Sequence, residues 1–171
     1  EELKNTSFAP PAIALLSVVL TKLLKERGLK ADFVAGHSLG EYSALYASGI
    51  LNEKDTLKLI SERGKIMSEA QIDGSMAAIL GLSSSNVEII ASEIDGIIEA
   101  VNYNEPKETV IAGEKDAVEK SLDIFKEKGA KRAMPLAVSG PFHSSLMKPV
   151  AKILEKECEK YKWNDQGITV M

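Results

Sequence analysis

Five consecutive residues, Gly36-His37-Ser38-Leu39-Gly40, constrain this chain more than any other feature of it. They follow a short apolar run, Phe33-Val34-Ala35-Gly36, that reads as a buried strand, and they precede a helical pattern from Glu41 to Ala47. Strand, tight turn and helix form the setting that a G-x-S-x-G sequence needs to carry chemistry. Glycines on both sides let the backbone turn sharply, so that the Ser38 hydroxyl projects from the carboxyl end of the strand. The N-terminus of the following helix then offers unpaired N–H groups to an anion. The Leu39 N–H is the one placed to stabilise a tetrahedral oxyanion.

A serine hydroxyl needs a base, and the chain has two histidines. His37 adjoins Ser38, and on a sharp turn its ring points away; it reads as a packing or positioning residue at the site. His143 is the candidate base. It lies in Ser139-Gly140-Pro141-Phe142-His143, after one expected strand and ahead of a helix, where parallel strands would bring it to the same edge as Ser38. A helix N-terminus also disfavours the imidazolium and keeps the ring available as a base. Arg63 is the third signal. Its helical neighbours Leu59, Ile60, Ile66 and Met67 are all apolar, and no acid stands one turn away. Such an arginine finds a distant carboxylate, snorkels to water, or clamps a substrate carboxylate through its bidentate fork.

Around these residues the chain reads as an α/β protein in two parts. Pro10-Pro11 opens a helix from Ala12 to Leu24 that is apolar nearly all round, as a helix packed between other elements is, and Gly28 ends it. A second long helix covers Glu53 to Ala70. From Ser75 the pattern gives a strand Met76–Leu82, a helix Ser85–Ile94 and a strand Ile97–Asn102, then a turn cluster Asn104-Glu105-Pro106-Lys107. A strand Thr109–Ala112, a helix Asp116–Lys128 and a strand Arg132–Val138 follow. That order, β-α-β-β-α-β, is the ferredoxin-like arrangement. It implies a small subdomain over 75–138 inserted into a larger layer made of 1–74 and 139–171, with a last helix Ser145–Tyr161 and a short strand at Ile168–Met171.

Composition narrows the function classes. A net charge of −4 with both signs interspersed argues against nucleic acid as a partner. The uncharged run Ser7–Thr21 is short for a membrane span and holds two prolines, so no membrane association is expected. The Glu1-Glu2 opening is unlike a signal peptide, and a single cysteine fits a reducing, cytoplasmic setting. Cys158 shares a helical face with Val150, Leu154 and Tyr161 and reads as an inert core thiol. One cysteine and two histidines without carboxylates at ligand spacing make no metal site, and no dinucleotide or P-loop pattern is present. The clusters Lys22, Lys25, Arg27, Lys30 and Lys126, Lys128, Lys131, Arg132 read as solvated faces, or as docking points for an acidic partner. Both ends read as cut from a longer protein.

The chain resembles bacterial malonyl-CoA:acyl carrier protein transacylases. The resemblance rests on GHSLGEYSALYASG from Gly36, ERGKIMSEA from Glu62, MAAILGL from Met76, VNYNEP and VIAG within 101–113, GAKRAMPLAVSGPFHSSLM from Gly129, and MKP from Met147. It implies a partial α/β-hydrolase-like core with an inserted ferredoxin-like subdomain. It also implies malonyl transfer from coenzyme A to the phosphopantetheine thiol of acyl carrier protein, in fatty acid biosynthesis. In that pattern Ser38 is the acylated nucleophile and His143 the base. Arg63 is the partner of the malonyl carboxylate, and the Leu39 N–H is part of the oxyanion hole. Asn102 and Asn104 line the site, and Phe142 favours malonyl. No cofactor is held permanently; the coenzyme A thioester is substrate. The family's second oxyanion donor would precede Glu1, the Gln or Asn that orients the base would follow Met171, and Pro10-Pro11 stands where Gln-Pro is common. Two rivals remain. One is a serine esterase or thioesterase, for which Asp73, Asp95 and Asp116 fall in the right interval of the chain. The other is a catalytically silent segment that docks carrier protein.

Overall fold

The computed structural model describes residues 8–165 and 167–171, so the Glu1-Glu2 opening and Ser7 lie outside the described residues. The chain is a mixed α/β protein of two compact units, one running to Ala70 and resuming at Lys152, the other spanning Gln71–Ala151.

In the first unit α1 is Ala9–Glu26, with Pro10 and Pro11 in the first turn where a missing N–H costs nothing. β1 (Phe33–Val34), α2 (Gly40–Ser48) and α3 (Glu53–Glu69) follow. The far end of the chain returns as β6 (Thr169–Val170), parallel to β1 with Phe33 opposite Thr169 and Val34 opposite Val170. Asn52 starts α3 by accepting the Asp55 N–H at 2.9 Å, and Thr56, Leu59, Ile60 and Gly64 form its buried face. Leu51, Leu59 and Tyr161 make a small core, flanked by Tyr42, Leu45, Leu154 and Cys158.

The sequence predicts α1 as a helix covered on every side; the structure corrects this. Only Ala14 and Val18 are buried, while Ile13, Leu16 and Leu20 are 56%, 60% and 49% exposed. α1 packs on α2 and α3 through one face, and among the described residues nothing covers the other.

The second unit follows the expected element order: β2 (Ser75–Leu80), α4 (Ser84–Ser92), β3 (Ile98–Glu105), β4 (Glu108–Gly113), α5 (Lys115–Glu127) and β5 (Arg132–Pro135). Its sheet runs β3-β4-β2-β5, antiparallel throughout. Strand alternation sorts the side chains by face. Ala77, Ile79, Ile111 and Ala133 pack with Val87, Ile90, Val118 and Phe125 of the two helices, while Met76, Ala78, Val110 and Ala112 form a second cluster with Leu136 and Phe142.

The unit extends past Val138 for a packing reason. Pro141 is fully buried, and a Cβ on Gly74 would come within 2.5 Å of its ring. A 3-10 turn (Ser145–Met147) then leads into α6 (Lys148–Cys158), in place of one helix from Ser145 to Tyr161. β3 also outruns its expected end at Asn102. The Tyr103 hydroxyl donates to Glu88 at 2.6 Å and Asn104 to Glu108 at 2.9 Å, which leaves only Pro106-Lys107 as the turn.

Candidate active site

The turn after β1 is as sharp as the sequence requires, and one glycine accounts for it. A Cβ on Gly36 would lie 2.1 Å from the carbonyl carbon and oxygen of Gly40 and 2.3 Å from the Glu41 nitrogen, so the strand end and the helix start touch backbone to backbone. A Cβ on Gly40 would meet nothing within 4 Å, so the second glycine is not needed for space. Ser38 sits at the apex with φ of 52°, a left-handed conformation that costs a non-glycine residue roughly 1–2 kcal/mol. Hydrogen bonds from Gly40 N–H to His37 O (2.9 Å) and from Glu41 N–H to Ser38 O (3.1 Å) lock the turn. No group among the described residues accepts from the Leu39 N–H, which heads α2 and remains available to an external anion. His37 is exposed.

Arg63 is half-buried on α3, between the buried Ile60 and the buried Gly64. No carboxylate among the described residues pairs with it. Its guanidinium carbon lies instead 5.6 Å from the ring centroid of Tyr42, in the first turn of α2. Burial pushes the Tyr42 phenol above its usual pKa and the Arg63 charge pulls it back. Ser38 and Arg63 are therefore connected within one unit: the helix that begins at the serine turn carries the ring beside the guanidinium.

The remaining predicted residues belong to the second unit. His143 has φ of 68° and follows the buried Pro141. Its loop is fixed on both sides: the Ser144 hydroxyl donates to Pro141 O at 2.7 Å, and the Ser145 N–H donates to Glu99 on β3 at 2.5 Å. Phe142 packs half-buried against the Met76, Ala78, Val110 and Ala112 cluster. Asn102 is half-buried beside a register shift in β3, and Asn104 is exposed with its amide engaged by Glu108.

A family model described as an acyl transferase domain matches residues 1–170. The chain belongs to that family. Among its relatives, the malonyl CoA-acyl carrier protein transacylase of Bacillus subtilis is 42% identical over 176 residues, and that of Escherichia coli K12 is 43% identical over 176 residues. All of this chain is aligned in both, against 56% and 57% of the relatives, so it spans little more than half of their length. Among solved structures, a malonyl-transacylase in complex with its type II PKS acyl-carrier protein superposes with a TM-score of 0.94 at 42% identity, covering 99% of this chain and 57% of that one. FabD from Acinetobacter baumannii gives 0.93 at 39% identity, with 99% and 56% covered. The mixed α/β fold of this acyl transferase domain matches both.

Two residues of this acyl transferase domain escaped sequence reasoning. Tyr42 lies in α2, and nothing in the sequence connects it to Arg63 on another helix. Glu99, within β3, carries no signal in the sequence that connects it to the loop after His143, yet it accepts the Ser145 N–H there. Cys158 packs beside Leu154 against the first unit's core, and burial pushes its thiol pKa up. Of the basic clusters, Lys22 pairs with Glu53, Lys126 with Asp123 and Lys128 with Glu93, as solvated faces do. Among the described residues no helix is long and apolar enough to cross a membrane, and no group of three or more His, Cys, Asp or Glu could hold a metal.

Proposed function

We propose that the protein containing this chain moves a malonyl group from coenzyme A to the phosphopantetheine thiol of acyl carrier protein, in fatty acid biosynthesis in the cytoplasm, through a malonyl ester on Ser38. The observation that carries this reading is backbone strain. Only three non-glycine residues among those described have positive φ, and two of them are Ser38 and His143. Left-handed serine and histidine persist where the surroundings over-determine them, and such residues cluster at sites of chemistry.

In this reading His143 takes the proton from the Ser38 hydroxyl, and the oxygen attacks the thioester carbonyl. The negative charge that develops is met by the Leu39 N–H at the head of α2. As the tetrahedral species collapses the C–S bond breaks, and the proton held by His143 goes to the leaving coenzyme A thiolate. The carrier's thiol then attacks the ester and restores Ser38. Arg63 binds the malonyl carboxylate, whose planar pair of oxygens matches a guanidinium fork. His37, Asn102, Asn104 and Phe142 line the acyl site. No resident cofactor is required, since the coenzyme A thioester brings the activated acyl group. The larger unit is then the partial α/β-hydrolase-like core, and the βαββαβ unit its ferredoxin-like insertion.

Intact-protein mass spectrometry after incubation with malonyl-CoA tests this. The expected result is a single malonyl adduct that disappears in Ser38→Ala and is discharged by an added pantetheine thiol. An adduct that survives Ser38→Ala removes the nucleophile, and discharge to water as fast as to thiol favours a hydrolase.

A further inference from the structure

An arginine half-buried on an apolar helix face needs its charge stabilised. A neighbouring carboxylate would do so and would also occupy the fork that a substrate carboxylate needs. Arg63 has no such partner among the described residues, and Tyr42 lies beside it instead. An aromatic face attracts a guanidinium through its quadrupole and does not compete with a carboxylate for charge-assisted hydrogen bonds. Tyr42 also stands four residues after Ser38, on the helix that the serine turn begins, and it packs against the Leu51, Leu59, Tyr161 core that anchors α3. The contact thus fixes the height and orientation of the cation relative to the nucleophile's own helix.

We propose that Tyr42 is the positioning residue that holds the Arg63 guanidinium in register with the Ser38 turn, and so sets the preference for carboxylated acyl groups over uncharged ones. This rests on the reading of Arg63 as the carboxylate clamp. Tyr42 itself touches neither the thioester nor the carboxylate. A side chain of the same bulk without an aromatic face would fill the space and let the guanidinium wander.

The test is the ratio of kcat/KM for malonyl-CoA to that for acetyl-CoA, measured on the full-length protein. Arg63→Ala is expected to lower the ratio at least tenfold. An unchanged ratio in that variant would overturn the clamp itself, and the present inference with it. Given a working clamp, Tyr42→Leu is expected to lower the ratio about tenfold, mainly through a raised KM for malonyl-CoA, whereas Tyr42→Phe keeps it within about twofold because the ring face remains. Should Tyr42→Leu fail to fold, Tyr42→Met gives the same reading with a flexible side chain of similar volume. Equal losses on both substrates in the Leu or Met variant would mark Tyr42 as simple core packing and end the proposal.

Discussion

At the scale of single residues, the site is governed by what the backbone forbids. The strand end and the helix start approach so closely at Gly36 that a methyl group there must move main chain, whereas one at Gly40 enters open space at an ordinary φ. Gly36→Ala is therefore expected to destabilise the protein by about 2–3 kcal/mol, within the usual range for overpacking against atoms that cannot rotate away. It should also abolish acylation at Ser38, because opening the turn moves the hydroxyl. Gly40→Ala should be neutral or stabilising by up to roughly 1 kcal/mol, since alanine is the better helix former. Urea unfolding of the two variants checks both signs, and equal destabilisation would contradict the geometry. The G-x-S-x-G sequence made the turn legible, but which of its glycines is obligatory was not, since that depends on distances across five residues. Tyr42 was illegible for a related reason: its meaning comes from Arg63, on a different helix.

At the scale of elements, sequence periodicity located the α-helices and strands of the described residues to within a few residues but was weakest at their ends, where particular side chains decide. The close of α6 shows this. The expected helix ran through Tyr161, whereas the observed one stops at Cys158, and the chain curls so that the Tyr161 N–H bonds Cys158 O at 3.2 Å and the ring enters the core beside Leu51 and Leu59. The Tyr161 hydroxyl donates to Glu157 at 3.2 Å, and Lys160 pairs with the same carboxylate. Burial, followed by the bond to Glu157, pushes the Tyr161 phenol up to about 12. A phenol whose folded pKa exceeds its unfolded value near 10 binds its proton more tightly when folded. Its contribution to stability is thus complete below about pH 10 and is lost as the pH rises toward about 12. Tyr161→Phe is expected to flatten the alkaline decline of stability across that window while leaving the profile near neutrality parallel to that of the parent. Urea titrations at intervals from pH 7 to 11.5 measure this; an alkaline limb as steep in the variant as in the parent would place the titration elsewhere.

At the scale of the whole molecule, the two units differ in how completely each buries its own apolar surface. Among the described residues, the first leaves Ile13, Leu16, Leu20 and Leu23 of α1 exposed, and the strand pairing it shows there is two residues long. The sequence could not reveal this, because an all-round apolar helix looks the same whether its partners lie in the segment at hand or elsewhere. The second unit has a four-stranded antiparallel sheet with an apolar cluster on each face, helices α4 and α5 over one of them, and a single continuous stretch of chain. Sheets of three or more strands packed against helices are able to stand alone, and a continuous segment with its own core satisfies the requirement for independent folding. Residues 71–151 expressed alone are therefore expected to give a cooperative thermal transition and dispersed amide resonances. The first unit's two segments, joined by a flexible linker, are expected to self-associate through α1, as large unshielded apolar surfaces do. Sedimentation velocity and circular dichroism of the two pieces decide the matter: a non-cooperative 71–151 fragment would mean that its sheet depends on the rest of the protein and that the continuous stretch of chain is not an independent folding unit.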